Sequence, residues 1–472
     1  MSGNYKEGQS KDLSGVYSLI VASVERAALG LRGILAVVFT SNWGPVNQLV
    51  ELETKSDLDA TFNAQGTALT AKKVSDLAYA DDAYRPAKLQ AYRAATAAAV
   101  KGTVTLECGL VDWVLETLYP SNRAFTAVVS AGVAGGSKAL AIVEAGVELM
   151  KIEAVTVDEF EAQVNASAYI RVQVKGDALP ADTAAANFAG GSNGDVITVT
   201  EYNAFITEVE VEKTANTLVL DGVTDEAIIT AAVTWLKRVR DEGFRLDFFR
   251  GGVTGWDADL TLGNAVSTAA NYRGIHNVNN GADGYTSADM AIYLAAVWAG
   301  CPLNRSLADH VTPFKAVNVK TPLTVTNRVT AKKAGSLLFH MQGGKVVIDE
   351  GVNTLTAPTG DEVTEYGKMR VSRTIDVIAN DTEAFGEAFK KNLSNTAEAR
   401  RAYAAAVEDT YFTGMVTLEA IRADYSYEED ADHHGKTAPF PARIDEAFFV
   451  SSFYPVDSME KVYQKFTARF GG

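Results

Sequence analysis

One short run constrains this chain more than any other: Gly33-Ile-Leu-Ala-Val-Val-Phe39 is continuously apolar and is closed by Asn42-Trp-Gly-Pro45. A strand with one wet face alternates polar and apolar residues. An unbroken run therefore predicts a strand buried on both faces, in a sheet covered by helices. Later signals agree. Thr217-Leu-Val-Leu220, a helix and Phe244-Arg-Leu-Asp-Phe-Phe249 follow one another as a βαβ unit. Thr224 reads as the N-cap of that helix, with Asp225 and Glu226 in its first turn, Ile228, Ala232, Leu236 and Val239 on one face, and Gly243 as its stop. Thr286 with Asp289 three positions on opens a second helix. The segments 337–341 and 345–349, joined through Gln342-Gly-Gly344, read as a hairpin.

A chain of 472 residues has room for two to four units. Residues 1–30 read as an N-terminal arm, 31–102 with 197–365 as an α/β core, 103–196 as an inserted β-rich domain, 366–455 as an α+β C-terminal domain and 456–472 as a C-terminal arm. The insertion is marked by short strand-like runs such as Phe125-Thr-Ala-Val-Val129 and Ala168-Tyr-Ile-Arg-Val-Gln-Val174, split by glycine-rich punctuation. The C-terminal domain opens with helical spacing of Phe385, Phe389 and Leu393, then of Tyr403, Val407 and Tyr411. The chain's start, residues 1–13, is polar and lacks a secretion pattern, and no apolar stretch approaches the roughly 20 residues of a membrane span. Cys108 and Cys301 are too few and too far apart for a disulfide framework and read as two buried, reduced thiols. With 43 basic against 59 acidic residues the net charge is −16, so nucleic acid is a poor partner.

No enzyme signature survives inspection. Gly190-Gly-Ser-Asn-Gly194 has the letters of a nucleophile elbow but no buried strand in front of it. Gly132 to Lys138 has Ser137 before Lys138, the reverse of a phosphate loop. His433 and His434 lie among Glu428, Glu429, Asp430 and Asp432 in what reads as a solvated loop, and His276, His310 and His340 are isolated structural histidines. No catalytic residue, metal site or cofactor is assigned. Two alternatives stay open: a hydrolase on the α/β core using Ser192 or an acid pair, and a carbohydrate-binding module in the inserted domain.

The ends are more informative. In the run 462–470 alternate positions place Val462, Gln464, Phe466, Ala468 and Phe470 on one face of a strand, and Val16, Leu19, Ile20 and Val21 lie in a similar segment near the start. Such strands can complete a neighbour's sheet, or pair within their own chain. Lys390, Lys391, Arg400 and Arg401 form a basic cluster in an otherwise acidic chain that could dock on acidic groups of a partner.

Several motifs also resemble the contractile phage tail sheath proteins, most closely those of defective prophages and phage-tail-like bacteriocins. They are Gly15-Val-Tyr17, the strand and turn 33–45, Tyr119-Pro120, the run from Gly344-Lys-Val-Val-Ile-Asp to Thr354, Arg370-Val-Ser-Arg-Thr-Ile-Asp-Val-Ile-Ala-Asn380, and the ending Pro455-Val-Asp-Ser-Met-Glu-Lys-Val-Tyr463. The resemblance implies a core with a subtilisin-like layered sheet but no protease chemistry, a β-sandwich-like insertion, a C-terminal domain against an inner tail tube, and terminal arms shared between subunits. It implies no cofactor. Its partners would be further copies in stacked hexameric rings, the tail tube protein, and baseplate and tail terminator proteins, with neither nucleic acid nor membrane insertion. Localisation would be the virion tail, assembled in the host bacterial cytoplasm.

Overall fold

The computed structural model describes residues 2–4, 16–18, 32–63, 69–319, 323–390 and 394–466. The chain divides into two compact units, residues 31–376 with 458–472 and residues 1–30 with 377–457.

The larger unit is built on a seven-stranded sheet. Its strands are β1 (Ile34–Phe39), β2 (Leu49–Leu52), β3 (Lys88–Arg93), β4 (Thr217–Val219), β5 (Asp247–Arg250), β6 (Ile275–Val278) and β7 (Ser336–Leu337), in the spatial order β7-β6-β5-β4-β1-β3-β2. Every neighbouring pair is parallel except the edge pair β2 and β3. All six residues of β1 are buried, as the apolar run requires. The two-residue period sends Leu35, Val37 and Phe39 to one face, into a cluster with α1 (Thr70–Ala78) and α4 (Ser287–Gly300). Ile34, Ala36 and Val38 enter a second cluster with α2 (Val199–Glu212) and α3 (Glu226–Asp241).

The cap of α3 is Asp225 rather than Thr224. Its carboxylate accepts from the Ala227 and Ile228 amides, and a negative group at that end also complements the helix dipole. The expected Thr286 and Asp289 box does open α4, whose residues Ser287 to Trp298 are all buried. The hairpin forms as β8 (Phe339–Gln342) and β9 (Lys345–Ile348), with Gly343 and Gly344 at φ of 58° and 79°, the left-handed pair that a two-residue hairpin turn demands.

Residues 103–196 contribute a four-stranded sheet, a three-stranded sheet and a helix, Val157–Ala166, around one apolar cluster. The helix was not expected from the sequence, although Thr156 and Glu159 mark its start. That cluster also contains Trp43 from the core segment, whose ring lies 5.3 Å from Tyr119 and 5.3 Å from Phe125.

The smaller unit contains the second part of α5 (Met369–Lys390), α6 (Ala397–Ala406), a π-helical turn (Val407–Phe412) and an antiparallel hairpin of β10 (Ile421–Glu429) and β11 (Phe449–Pro455). The aromatic spacings meet one another: Phe385 lies 5.2 Å from Tyr411, and Phe389 lies 4.3 Å from Tyr403, which reaches Phe449 at 4.9 Å. Near the N-terminus Val16–Ser18 pairs in parallel with Ser2–Asn4. Of the expected C-terminal strand, residues 462–466 carry no regular secondary structure, since no ladder partner is bonded to them, and the remainder lies outside the described residues.

Candidate functional site

In a sheet of this kind chemistry is expected beyond the carboxyl ends of the strands, where the strand order reverses. From β1 the chain continues to β3 on one side and to β4 on the other, which puts that point between β1 and β4. Thr40 follows β1 and Asp221 follows β4. Thr70 Oγ1 donates to Asp221 Oδ2 at 2.8 Å and accepts the Thr40 amide at 2.8 Å, while Tyr202 donates to Asp221 Oδ1 at 2.7 Å. Lys73 Nζ and Asp289 Oδ1 close over the strand end at 2.7 Å. Gly222 permits this, because a Cβ there would meet Asp289 Oδ1 at 2.3 Å. Burial pushes the Asp221 carboxyl up. Both of its oxygens are engaged, and the adjoining cavity beside Gly222, Phe249 and Arg250 measures about 10 Å³. That is room for about one water molecule. Thr70, Tyr202, Lys73 and Asp289 thus occupy the space around the ends of β1 and β4.

The other sequence candidates are also accounted for. Ser192 lies in a two-residue strand paired with Ala99–Val100, and its Oγ accepts from the Gly194 amide. It is on neither a strand-to-helix turn nor, by any recorded bond, a histidine. The glycine-rich turn 132–137 is an anion cradle already occupied by the chain itself: Glu153 accepts the Ala134 amide at 2.9 Å and the Ser137 hydroxyl at 2.5 Å. His433 Nδ1 contacts Asp430 at 2.9 Å and His434 Nε2 accepts the Phe448 amide at 2.8 Å, so the two rings are spent on separate loop contacts. Among the described residues no group of three or more His, Cys, Asp or Glu could hold a metal.

Three histidines have partners that local spacing hides. His310 Nε2 lies 2.8 Å from Asp81, which also accepts Tyr293 at 2.7 Å, His276 lies 3.2 Å from Asp247, and His340 lies 3.4 Å from Asp349. Cys301 is buried, but Cys108 is only half-buried, with its thiol donating to the Val111 carbonyl, which corrects the reading of two buried thiols.

The basic cluster is less free than its sequence suggests. Arg400 donates to Glu429 at 2.5 Å and is largely covered, and Lys390 pairs with Glu387. Arg401 stays 73% exposed, 3.8 Å from Glu429, while Lys391 lies outside the described residues. A cleft of about 530 Å³ opens between α5, α6 and the hairpin, backed by Phe389, Tyr403, Tyr427 and Phe449 and rimmed by Glu383, Lys390 and Asp445. Sequence reasoning missed it, although the aromatic spacing that builds it was visible. Of the arm residues, Val16 lies in the short N-terminal strand, and Val462 and Phe466 are exposed by 65% and 86%. Leu19, Ile20, Val21 and Phe470 lie outside the described residues. Among the described residues no helix is long and apolar enough to cross a membrane.

Residues 195–354, which carry most of the parallel sheet, match the family model for the phage tail sheath protein central domain. The tail sheath protein of Clostridium phage phiCD119 is 23% identical over 209 residues, covering 44% of this chain and 55% of that protein. The fold is similar to that of a sheath tail protein from Desulfitobacterium hafniense, with a TM-score of 0.68 at 22% identity over 94% of this chain and 100% of that one. It is also similar to the helical sheath of the anti-feeding prophage in its contracted state, with a TM-score of 0.54 at 13% identity over 97% and 99% of the two chains.

Proposed function

We propose that this chain, whose residues 195–354 belong to the phage tail sheath central-domain family, is the structural subunit of a contractile tail sheath. It polymerises as stacked hexameric rings around a tail tube and contracts to drive the tube through a target envelope. The observation that carries this reading is the likeness along nearly the whole chain to the folds of two solved sheath proteins, one crystallised and one in a contracted helical sheath. The side chains that engage both oxygens of Asp221 beyond the ends of β1 and β4 support a structural rather than a catalytic role. On this reading the core keeps a subtilisin-like layering without its chemistry, residues 103–196 face outward, and the unit containing 377–457 faces the tube, with Lys390, Lys391, Arg400 and Arg401 as its candidate contacts. The arms link subunits through Val16, Leu19, Ile20 and Val21 at one end and Val462, Phe466 and Phe470 at the other. Further partners are the tube, baseplate and terminator proteins, without nucleic acid or membrane insertion, and assembly takes place in the bacterial cytoplasm before the particle is released.

Exposed Val462 and Phe466 are the features an intersubunit arm needs. Burying one such aromatic contributes about 2 kcal/mol, a factor of roughly 30 in association for each contact. A chain ending after Glu460 should therefore melt cooperatively, within a few degrees of the full chain, yet form no tubes in electron micrographs. Tubes of normal yield from that truncation would refute the arm assignment.

A further inference from the structure

The C-terminal segment touches the core at two alternate residues and then stops touching it. Ser458 and Glu460 are half-buried, whereas Met459 is 85% exposed and every described residue from Lys461 to Phe466 is exposed. Alternation of this kind is that of an extended strap with one face down. Ser458 Oγ accepts from Arg370 at 2.9 Å, and Glu460 accepts from Lys368 and, at 3.3 Å, from the Ser306 hydroxyl. The Glu460 side chain is only 13% exposed.

Lys368 has a second acceptor in waiting. Glu350 Oε2 lies 4.0 Å from its ammonium group and is buried without a hydrogen-bond partner of its own, while Oε1 of the same carboxylate is held by Lys332 at 2.5 Å. An ion pair that opens usually strands one buried charge, which makes opening costly. Here Lys368, on leaving Glu460, needs to move only about an ångström to bond Glu350, a distance on the scale of ordinary side-chain motion.

We propose that Ser458 and Glu460 form a releasable strap, in which Lys368 switches from Glu460 to Glu350 when the strap lifts. Closed, the strap fixes the point from which the free segment leaves the core, and six residues of extended chain let Phe466 reach about 20 Å from Glu460. Open, it lengthens that reach toward a moving neighbour. The functional part rests on the arm reading above; the strap itself does not.

Limited digestion of the full chain with a lysine-specific protease tests the switch. A protease needs several extended residues ahead of the bond, so the closed strap, which ends at Glu460, shields the bond after Lys461 more than the bond after Lys465. Of these two bonds, the wild-type chain should be cut after Lys465 first. Glu460→Gln should speed cleavage after Lys461 about tenfold with little change after Lys465, and Lys368→Glu combined with Glu460→Arg, which adds no lysine to cut at, should restore the wild-type ratio. Glu350→Gln, which removes charge from the waiting acceptor, should leave the Lys461 bond as protected as in wild type or more so. Circular dichroism melting checks that each variant is folded. Equal rates at the two lysines in the wild-type chain, or Glu350→Gln opening the Lys461 bond as much as Glu460→Gln, would overturn the proposal. Cleavage is read on the subunit, so a chain that passes this test and makes no tubes contradicts the sheath reading instead.

Discussion

At the scale of single residues, the sequence hides pairings that long loops bring together. Asp81 and His310 are 229 positions apart, and no local pattern links them. Burial by itself would raise the Asp81 pKa, but the bonds from His310, Tyr293 and the Tyr84 amide outweigh it and hold the carboxyl at about 2 against an ordinary 3.8. Its folded pKa is depressed, so the stabilisation is fully present above pH 4 and is lost as pH falls toward 2. Asp81→Asn should cost about 2–3 kcal/mol at pH 7, the worth of hydrogen bonds to a charged group, and much less at pH 2.5. Denaturant melts at the two pH values check this, and an equal cost at both would contradict the assigned charge. By contrast, the cap pair Thr286 and Asp289 was legible because both partners lie within one helical turn.

At the scale of elements, legibility followed burial. β1 could be read because a strand covered on both faces leaves no polar positions, and its six buried residues bear this out. The helix Val157–Ala166 escaped because only Phe160 and Val164 are buried, too thin an apolar face to register among strands. The cleft of the smaller unit escaped for another reason. Its wall needs α5, α6 and β11 together, and sequence spacing gives each element's face but not which faces meet. Trp43 shows the same limit. It belongs by sequence to the turn after β1 but is 4% exposed inside the cluster of residues 104–170, with Arg123 stacked on it at 5.0 Å. Replacing Trp43 by Ala should cost about 3–5 kcal/mol, the usual price of emptying an aromatic site. Hydrogen exchange should quicken across residues 103–188 more than in β4 to β6; exchange that changes equally in both regions would argue against a separate cluster.

At the scale of the whole molecule, the chain carries a net −16, and copies that stack must bring like charges together. Residues 377–457 hold fifteen acidic and seven basic side chains, so the basic cluster sits on an acidic background, and Arg400 and Lys390 are already paired. Salt screens such repulsion over about 10 Å at 0.1 M, and polymerisation should therefore strengthen between 0.05 and 0.5 M salt. The parallel core was legible at this scale, whereas one chain's own pattern does not say what, if anything, covers exposed residues such as Val462 and Phe466. The central claim is that the chain builds open, propagating contacts rather than a closed oligomer. Electron microscopy of the purified full-length chain over a hundredfold concentration range, with and without the cognate tube protein, tests it directly. The account expects hollow tubes of stacked rings that lengthen with concentration and salt. A monodisperse monomer or small closed oligomer throughout that range, with the tube protein present, would contradict it.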